Sequence, residues 1–172
     1  MKLAQLLAPL GITEGFMDVE ISDIVYDSRK AKAGCAFVCL RGSAVDGHKF
    51  AANAAAAGAA AIIAQEPVEA SGAQVVLVED TRRALALMSA AFFGNPAEGD
   101  ISVIGVTGTK GKTTTAYMIR SILEAAGHKT GVIGTIGVLM GEELIQTDNT
   151  TPMSYDIQMY LRRMADAGAN TV

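Results

Sequence analysis

A glycine-rich segment with five threonines and two lysines is the part of this sequence whose residue types point most directly to chemistry. It reads Val-Thr-Gly-Thr-Lys-Gly-Lys-Thr-Thr-Thr over residues 106–115. Because Gly108 and Gly111 lack a Cβ atom, the backbone can curl tightly and aim its N–H groups inward at a phosphate. The charge of Lys112 suits the β- and γ-phosphates of a nucleoside triphosphate, and the Thr113 hydroxyl suits Mg²⁺. The segment therefore predicts a nucleotide-binding loop, although such a loop alone does not specify a reaction.

The match to the common pattern, which has a glycine five residues before the Gly-Lys pair, is not strict. The residue five before Gly111 is Val106. An ordinary glycine-rich turn carrying two solvated lysines, Lys110 and Lys112, is the alternative interpretation. The flanking segments favour the nucleotide site, because an apolar strand pattern precedes the loop and a helix pattern follows it.

The elements around the loop are those of an α/β domain. Residues 101–106 form an apolar run typical of a strand, and residues 113–126 carry apolar side chains at helical spacing. The helix is predicted to bury one face, made of Met118, Ile119, Ile122, Leu123 and Ala126. A strand pattern at 130–136 completes a βαβ unit. The elements predicted after it are a hairpin at 137–146, a helix at 155–168 and the start of a third strand at 171–172.

The first half of the chain also alternates strand and helix patterns, which predicts an α/β fold rather than an all-β one. The predicted strands are 21–26, 35–40, 60–64 and 74–78, and the predicted helices are 48–58 and one that starts near Thr81 and ends near Gly94. Glycine, proline and polar residues at 94–100 mark a boundary between domains. We expect one domain at 1–96 and a second at 99–172.

The overall composition excludes several classes of protein. Half of the 172 residues are hydrophobic, which excludes wholesale disorder, and the net charge of −4 disfavours a broad nucleic-acid-binding surface. The chain has no apolar run of about 18 residues, so membrane insertion is not expected. The two cysteines, Cys35 and Cys39, in a sequence without a signal-peptide pattern indicate reduced thiols in a cytoplasmic protein.

The loop resembles that of the Mur ligases, ATP-dependent enzymes that build the peptide stem of bacterial cell-wall precursors. Residues 107–114 are similar to the family's Thr-Gly-Thr-x-Gly-Lys-Thr-Thr loop, with Lys110 where asparagine is common. The resemblance implies a catalytic role for Lys112 and a Mg²⁺ ligand in Thr113. The implied ATP-binding residues are Gly108, Thr109, Lys110, Gly111, Lys112, Thr113 and Thr114.

Of three other motifs, the first two resemble the N-terminal domain shared by the members that add the third residue of the stem and those that add its terminal dipeptide, and the last resembles a segment of the third-residue members. In chain order, the motifs are Tyr26-Asp-Ser-Arg29, Asp46-Gly-His48-x-Phe50 and Asp148-Asn-Thr-Thr-Pro152. The resemblance implies a site for the uridine diphosphate (UDP) end of the substrate at Tyr26, Ser28, Ser43, Ala44 and Val45, and contacts with the muramoyl peptide at Asn149, Thr150 and Thr151. The alternatives are a surface turn at 27–29 and a helix N-cap before Pro152. His48 and His128 are expected to be structural.

The implied reaction joins a diamino acid, meso-diaminopimelate or L-lysine, to UDP-N-acetylmuramoyl-L-alanyl-D-glutamate. ATP, with Mg²⁺, converts the γ-carboxylate of the substrate to an acyl phosphate, which the amine then attacks. The resemblance alone slightly favours meso-diaminopimelate. The sequence also allows a protein of a different functional class, namely a non-catalytic protein that binds a UDP-sugar or nucleotide and has a vestigial phosphate loop. The motifs argue against a kinase or a transporter-type NTPase.

The resemblance also implies that the chain is an N-terminal fragment. It would comprise a small α/β UDP-binding domain and the beginning of a parallel-sheet ATPase domain. We expect such a fragment to be inactive alone, and we expect its uncovered apolar surface either to make residues 99–172 less ordered than residues 1–96 or to drive self-association.

Overall fold

The computed structural model describes residues 1–42, 45–147 and 151–172. The chain forms two compact units, Met1–Phe92 and Phe93–Val172. Both units combine strands with helices, and the sheet of the first is parallel, so the predicted α/β class is confirmed. The longest helix of the described residues has 14 residues, and none of their helices is long and apolar enough to cross a membrane.

The first unit is built on a four-stranded parallel sheet in the order β1-β2-β3-β4. Its strands are Asp23–Val25 (β1), Cys35–Val38 (β2), Ala61–Ala64 (β3) and Gln74–Leu77 (β4), and its helices are Leu3–Leu7 (α1), Ala51–Ala56 (α2) and Thr81–Phe92 (α3). Every residue of β2 and β3 is buried, as the continuous apolar runs of a covered parallel sheet require. All four strands point the same way, so their carboxyl ends form one edge.

The core of this unit holds both cysteines, which are free and fully buried. Burial raises the pKa of the Cys39 thiol to about 12. A thiol that stays protonated at neutral pH is a poor nucleophile and a poor metal ligand. Cys39 therefore acts as a small apolar side chain in this fold.

The second unit contains the helices Lys112–Ala125 (α4) and Ser154–Asp166 (α5) and the strands Gly131–Gly134 (β5), Gly137–Met140 (β6) and Glu143–Ile145 (β7). These strands form an antiparallel meander that includes the predicted hairpin. The start of a third strand predicted at 171–172 corresponds to isolated β-bridges at Thr171 and not to a continuous strand. Thr171 forms parallel bridges with both Ser102 and Thr130, so residues 171–172 lie between the two strands of the predicted βαβ unit.

The strand predicted at 101–106 is reduced to a single β-bridge at Ser102. Its pairing with residues 170–172 extends only to the hydrogen bond from the Ile104 N–H to the Val172 carbonyl, at 2.8 Å. Beyond Ile104 the backbone enters the glycine-rich turn. Val103 and Ile104 are about half exposed, although an apolar run of this kind predicts burial.

The predicted buried face of α4 is wrong in part. Met118 and Ile122 are 61% and 69% exposed, Ala126 is exposed as well, and no residue of the helix is fully buried. The inward face instead carries Ala116, Ile119 and Leu123, which line a cavity together with Lys112. These four residues follow one another at helical spacing, so turning Lys112 toward the glycine-rich loop brings this face inward. Met118 and Ile122 then lie on the outer side.

Candidate functional site

The predicted nucleotide-binding loop lies between the segment at 102–104 and the amino end of α4. Gly111 precedes the helix with a φ of 79°, a left-handed conformation that glycine adopts without strain. The N–H groups of the first turn of α4, from Lys112 to Thr114, have no acceptor within the helix. Together with the helix dipole they create a local preference for an anion.

The two lysines of the loop differ in their surroundings. Lys112 Nζ donates a hydrogen bond of 2.6 Å to the Gly108 carbonyl, which holds its charge across the loop. Lys110 is exposed, and within the described residues its side chain has no hydrogen bond or ion pair. The geometry thus separates a lysine held at the loop from one that extends into solvent.

A cavity of about 280 Å³ opens beside the loop. This volume lies just below the usual range of small-molecule sites, about 300–1,000 Å³. Its polar lining includes Lys112, Thr113, Arg120, Thr135 and Thr151, and its apolar lining includes Val106 and Ile133. Thr151, a predicted substrate contact, therefore shares a cavity with the loop. The other two predicted contacts, Asn149 and Thr150, lie outside the described residues.

The candidate residues of the first unit lie at the carboxyl edge of its parallel sheet. Tyr26 and Ser28 follow β1, and Val45, which is 56% exposed, follows β2. Open α/β sheets bind their ligands at this edge. Ser43 and Ala44 are outside the described residues.

An aspartate fixes the turn that carries Ser28. Asp27 Oδ1 accepts a hydrogen bond of 3.0 Å from the Arg29 N–H, and Oδ2 accepts one of 2.6 Å from Arg29 Nη2. These bonds begin a 3₁₀ turn, Ser28–Lys30. The hydrogen bond from the Arg29 guanidinium is the main reason why the pKa of Asp27 is lowered to about 2. The surface turn that the sequence allows as the alternative at 27–29 is thus present, and it holds Ser28 beside the sheet edge.

This pKa predicts a pH-dependent contribution to stability. The pKa of Asp27 is lower in the folded chain than its usual value of 3.8. Ionised Asp27 therefore stabilises the fold fully at pH values above about 4. The contribution is lost as the pH falls from about 4 to about 2. We expect Asp27→Asn to lower the melting temperature at pH 7 and to have little effect near pH 2. Calorimetric melting of both proteins across this range measures the difference, and a constant difference would contradict the assigned ion pair.

The base of the loop between β2 and α2 is tightly closed. The Gly42 N–H donates to the Val45 carbonyl at 2.9 Å, and the Gly47 N–H donates to the Leu40 carbonyl at 2.8 Å. A Cβ atom on Gly47 would lie 2.8 Å from the backbone N and O of Leu40. Position 47 therefore requires glycine. This close contact accounts for the glycine of the Asp-Gly-His motif, and the sequence alone does not show it.

Models of the same protein family match segments of both units. Residues 106–172 match the Mur ligase middle domain, and residues 20–93 match the model described as the Mur ligase family, catalytic domain. The chain is 44% identical over 158 residues to the UDP-N-acetylmuramoyl-L-alanyl-D-glutamate–2,6-diaminopimelate ligase of Clostridium perfringens, covering 91% of this chain and 32% of that protein. It is 42% identical to the ligase of the same name from Bacillus licheniformis, covering 99% of this chain and 35% of that protein. The chain thus spans about a third of the length of these relatives.

Solved structures give a similar result. A UDP-N-acetylmuramoyl-L-alanyl-D-glutamate–2,6-diaminopimelate ligase superposes with a TM-score of 0.78 at 26% identity, over 99% of this chain and 35% of its own. MurF from Acinetobacter baumannii gives 0.61 at 29% identity, over 92% and 32% of the two chains. A MurF ligase from Thermotoga maritima in complex with ADP gives 0.55 at 27% identity, over 81% and 28%. The similarity in fold extends through both units.

Proposed function

The chain belongs to the Mur ligase family, and from that premise we propose that it supplies the UDP-binding and phosphate-binding parts of an ATP-dependent ligase. The proposed reaction adds meso-diaminopimelate to UDP-N-acetylmuramoyl-L-alanyl-D-glutamate. The observation that carries the proposal is identity of 42–44% to relatives named for this reaction, extending through both units. Their name also favours diaminopimelate over L-lysine as the acceptor.

The loop at the start of α4 is the proposed ATP site. Residues 108–114 would surround the β- and γ-phosphates, with Lys112 and the free N–H groups of the helix opposing their charge. The Thr113 hydroxyl lines the same cavity, and an uncharged oxygen donor of this kind suits Mg²⁺. Bound Mg²⁺ would neutralise phosphate charge.

The proposed chemistry has two steps. A γ-carboxylate oxygen of the substrate attacks the γ-phosphorus of ATP, so that an acyl phosphate forms and ADP leaves. The acceptor amine then attacks the acyl carbon, which forms the amide and releases phosphate. The first step brings two anions together. Lys112 lowers its barrier because its charge lies where phosphate charge shifts in the transition state. The position of Thr151 in the lining of the cavity supports a substrate contact near the transferred phosphate.

The carboxyl edge of the first sheet is the proposed UDP site. We assign it to Tyr26, Ser28 and the loop around Val45, including Ser43 and Ala44. The Ser28 hydroxyl supplies a hydrogen bond on a turn that Asp27 holds in place.

Calorimetry of this chain with UDP-N-acetylmuramoyl-L-alanyl-D-glutamate tests the UDP site. We expect binding, and we expect Ser28→Ala to weaken it by about 3- to 10-fold, the effect of one lost hydrogen bond. Ser71→Ala is a matched control, because Ser71 is exposed in a loop of the same unit. No detectable binding at millimolar substrate, or equal weakening by both variants, would contradict the assignment.

A further inference from the structure

The loop that follows β2 is closed at its base, but its local hydrogen bonds do not fix its position on the sheet. Those bonds join Leu40 to Gly47 and Gly42 to Val45. They leave open which contacts hold Val45 beside the carboxyl ends of the strands. A buried histidine immediately after the loop makes one such connection, beside the ion pair of Arg41 with Glu66.

The imidazole of His48 connects the loop to the end of β3. Its side chain is only 4% exposed, and its Nδ1 lies 2.6 Å from Asp46 Oδ1. Its Nε2 lies 3.0 Å from the backbone nitrogen of Gln65, the residue that follows β3. A backbone N–H can only donate, so Nε2 must be the unprotonated acceptor. The proton therefore resides on Nδ1 and is donated to Asp46.

The same network continues from Gln65 to the start of α3. The side chain of Gln65 accepts a 2.9 Å hydrogen bond from the Thr81 hydroxyl and donates one of 3.0 Å to the Glu79 carbonyl. Thr81 is completely buried. The chain of contacts thus links the ends of β2, β3 and β4, and its polar groups are paired, as a rigid buried network requires.

Asp46 completes the network on the loop side. Its Oδ1 also accepts the His48 backbone N–H at 3.0 Å, and the contacts with His48 lower the pKa of Asp46. Asp46 therefore stays ionised at neutral pH and holds the Nδ1 proton in place. Oxygen and nitrogen atoms of Asp46, His48 and Glu66 lie within 4.8 Å of one another. A metal ion is nevertheless a poor occupant, because both ring nitrogens of His48 are already engaged.

We infer that His48 is a positioning residue of the UDP site, holding Val45 and Asp46 against the carboxyl end of β3 as a fixed Nδ1–H tautomer. The inference rests on the proposed function and deepens it. His48 need not touch the ligand. It determines where the loop lies, and it therefore affects affinity through the geometry of the loop.

Titration of the complete 172-residue chain with UDP tests this role. We expect His48→Ala to weaken UDP binding by about tenfold or more, at a temperature well below the melting point of each variant. His48→Gln keeps an amide oxygen that can accept the Gln65 N–H, so it is expected to recover part of the lost affinity. His128→Ala is the matched control, since His128 is exposed, and it should bind like the wild type.

A spectroscopic measurement separates positioning from general destabilisation. Nitrogen-15 NMR of the wild-type imidazoles is expected to show the proton of His48 on Nδ1. A proton on Nε2 would overturn the inference even if His48→Ala does not fold, and so would a UDP affinity of His48→Ala within twofold of wild type. A wild-type chain that does not bind UDP would overturn the proposed UDP site itself, and the inference with it.

Discussion

Replacing Lys112 by alanine in the complete ligase is expected to lower kcat by about 10²- to 10³-fold, the usual cost of removing one group that stabilises transition-state charge. In the structure the ammonium group contacts the Gly108 carbonyl across the loop, where a γ-phosphate would be placed. Removing the side chain leaves no cavity in either core, because Lys112 lies on the loop surface. The melting temperature should therefore hardly change.

Phosphate release in the presence of ATP and both substrates measures this effect. Lys110→Ala is the matched control, because it removes the same charge only two residues away. The Lys110 side chain has no polar partner among the described residues. We expect it to retain most of the activity. Equal losses from the two variants would show that the wrong lysine has been assigned to the phosphates.

The glycine-rich turn before α4 could be predicted from the sequence because its determinants are local. Two glycines, a lysine and a hydroxyl residue lie within six positions, between an apolar run and a helix pattern. The buried face of α4 could be predicted only in part. Apolar residues at 118, 119, 122 and 123 satisfy two overlapping helical faces. The choice between them comes from the orientation of Lys112, which the hydrophobic pattern does not contain.

Strand order and the His48 network depend on long-range contacts that no local pattern encodes. Residues 171–172 carried a strand signal, but nothing in their sequence places them between Ser102 and Thr130. His48 was expected to be structural, and its motif gives no sign that its acceptor would be the backbone of Gln65, 17 residues later. The partner appears only once β2 and β3 pair. Tertiary pairing thus assembles the network from residues that are ordinary in isolation.

The core of the first unit, which carries the proposed UDP site, leads to the second large effect. Phe37 in β2 is 1% exposed, and its paired neighbours are Val25 in β1 and Ile62 in β3. Much of the surrounding cluster is alanine, at positions 51, 54, 59 and 64. Alanine side chains cannot change rotamer to fill a void. We therefore expect Phe37→Ala to lower the free energy of unfolding by about 3–5 kcal/mol, the usual range for this truncation.

That loss is large compared with a typical total stability of about 5–15 kcal/mol. It should also abolish UDP binding wherever the unit is unfolded, because β1 and β2 lead directly into Ser28 and Val45. Urea unfolding followed by circular dichroism measures the stability, with Leu77→Ala as control. Leu77 lies in β4 of the same sheet but is 52% exposed, so its truncation should cost about 1 kcal/mol or less. A similar small cost for Phe37→Ala would mean that the alanine-rich core collapses around the missing ring.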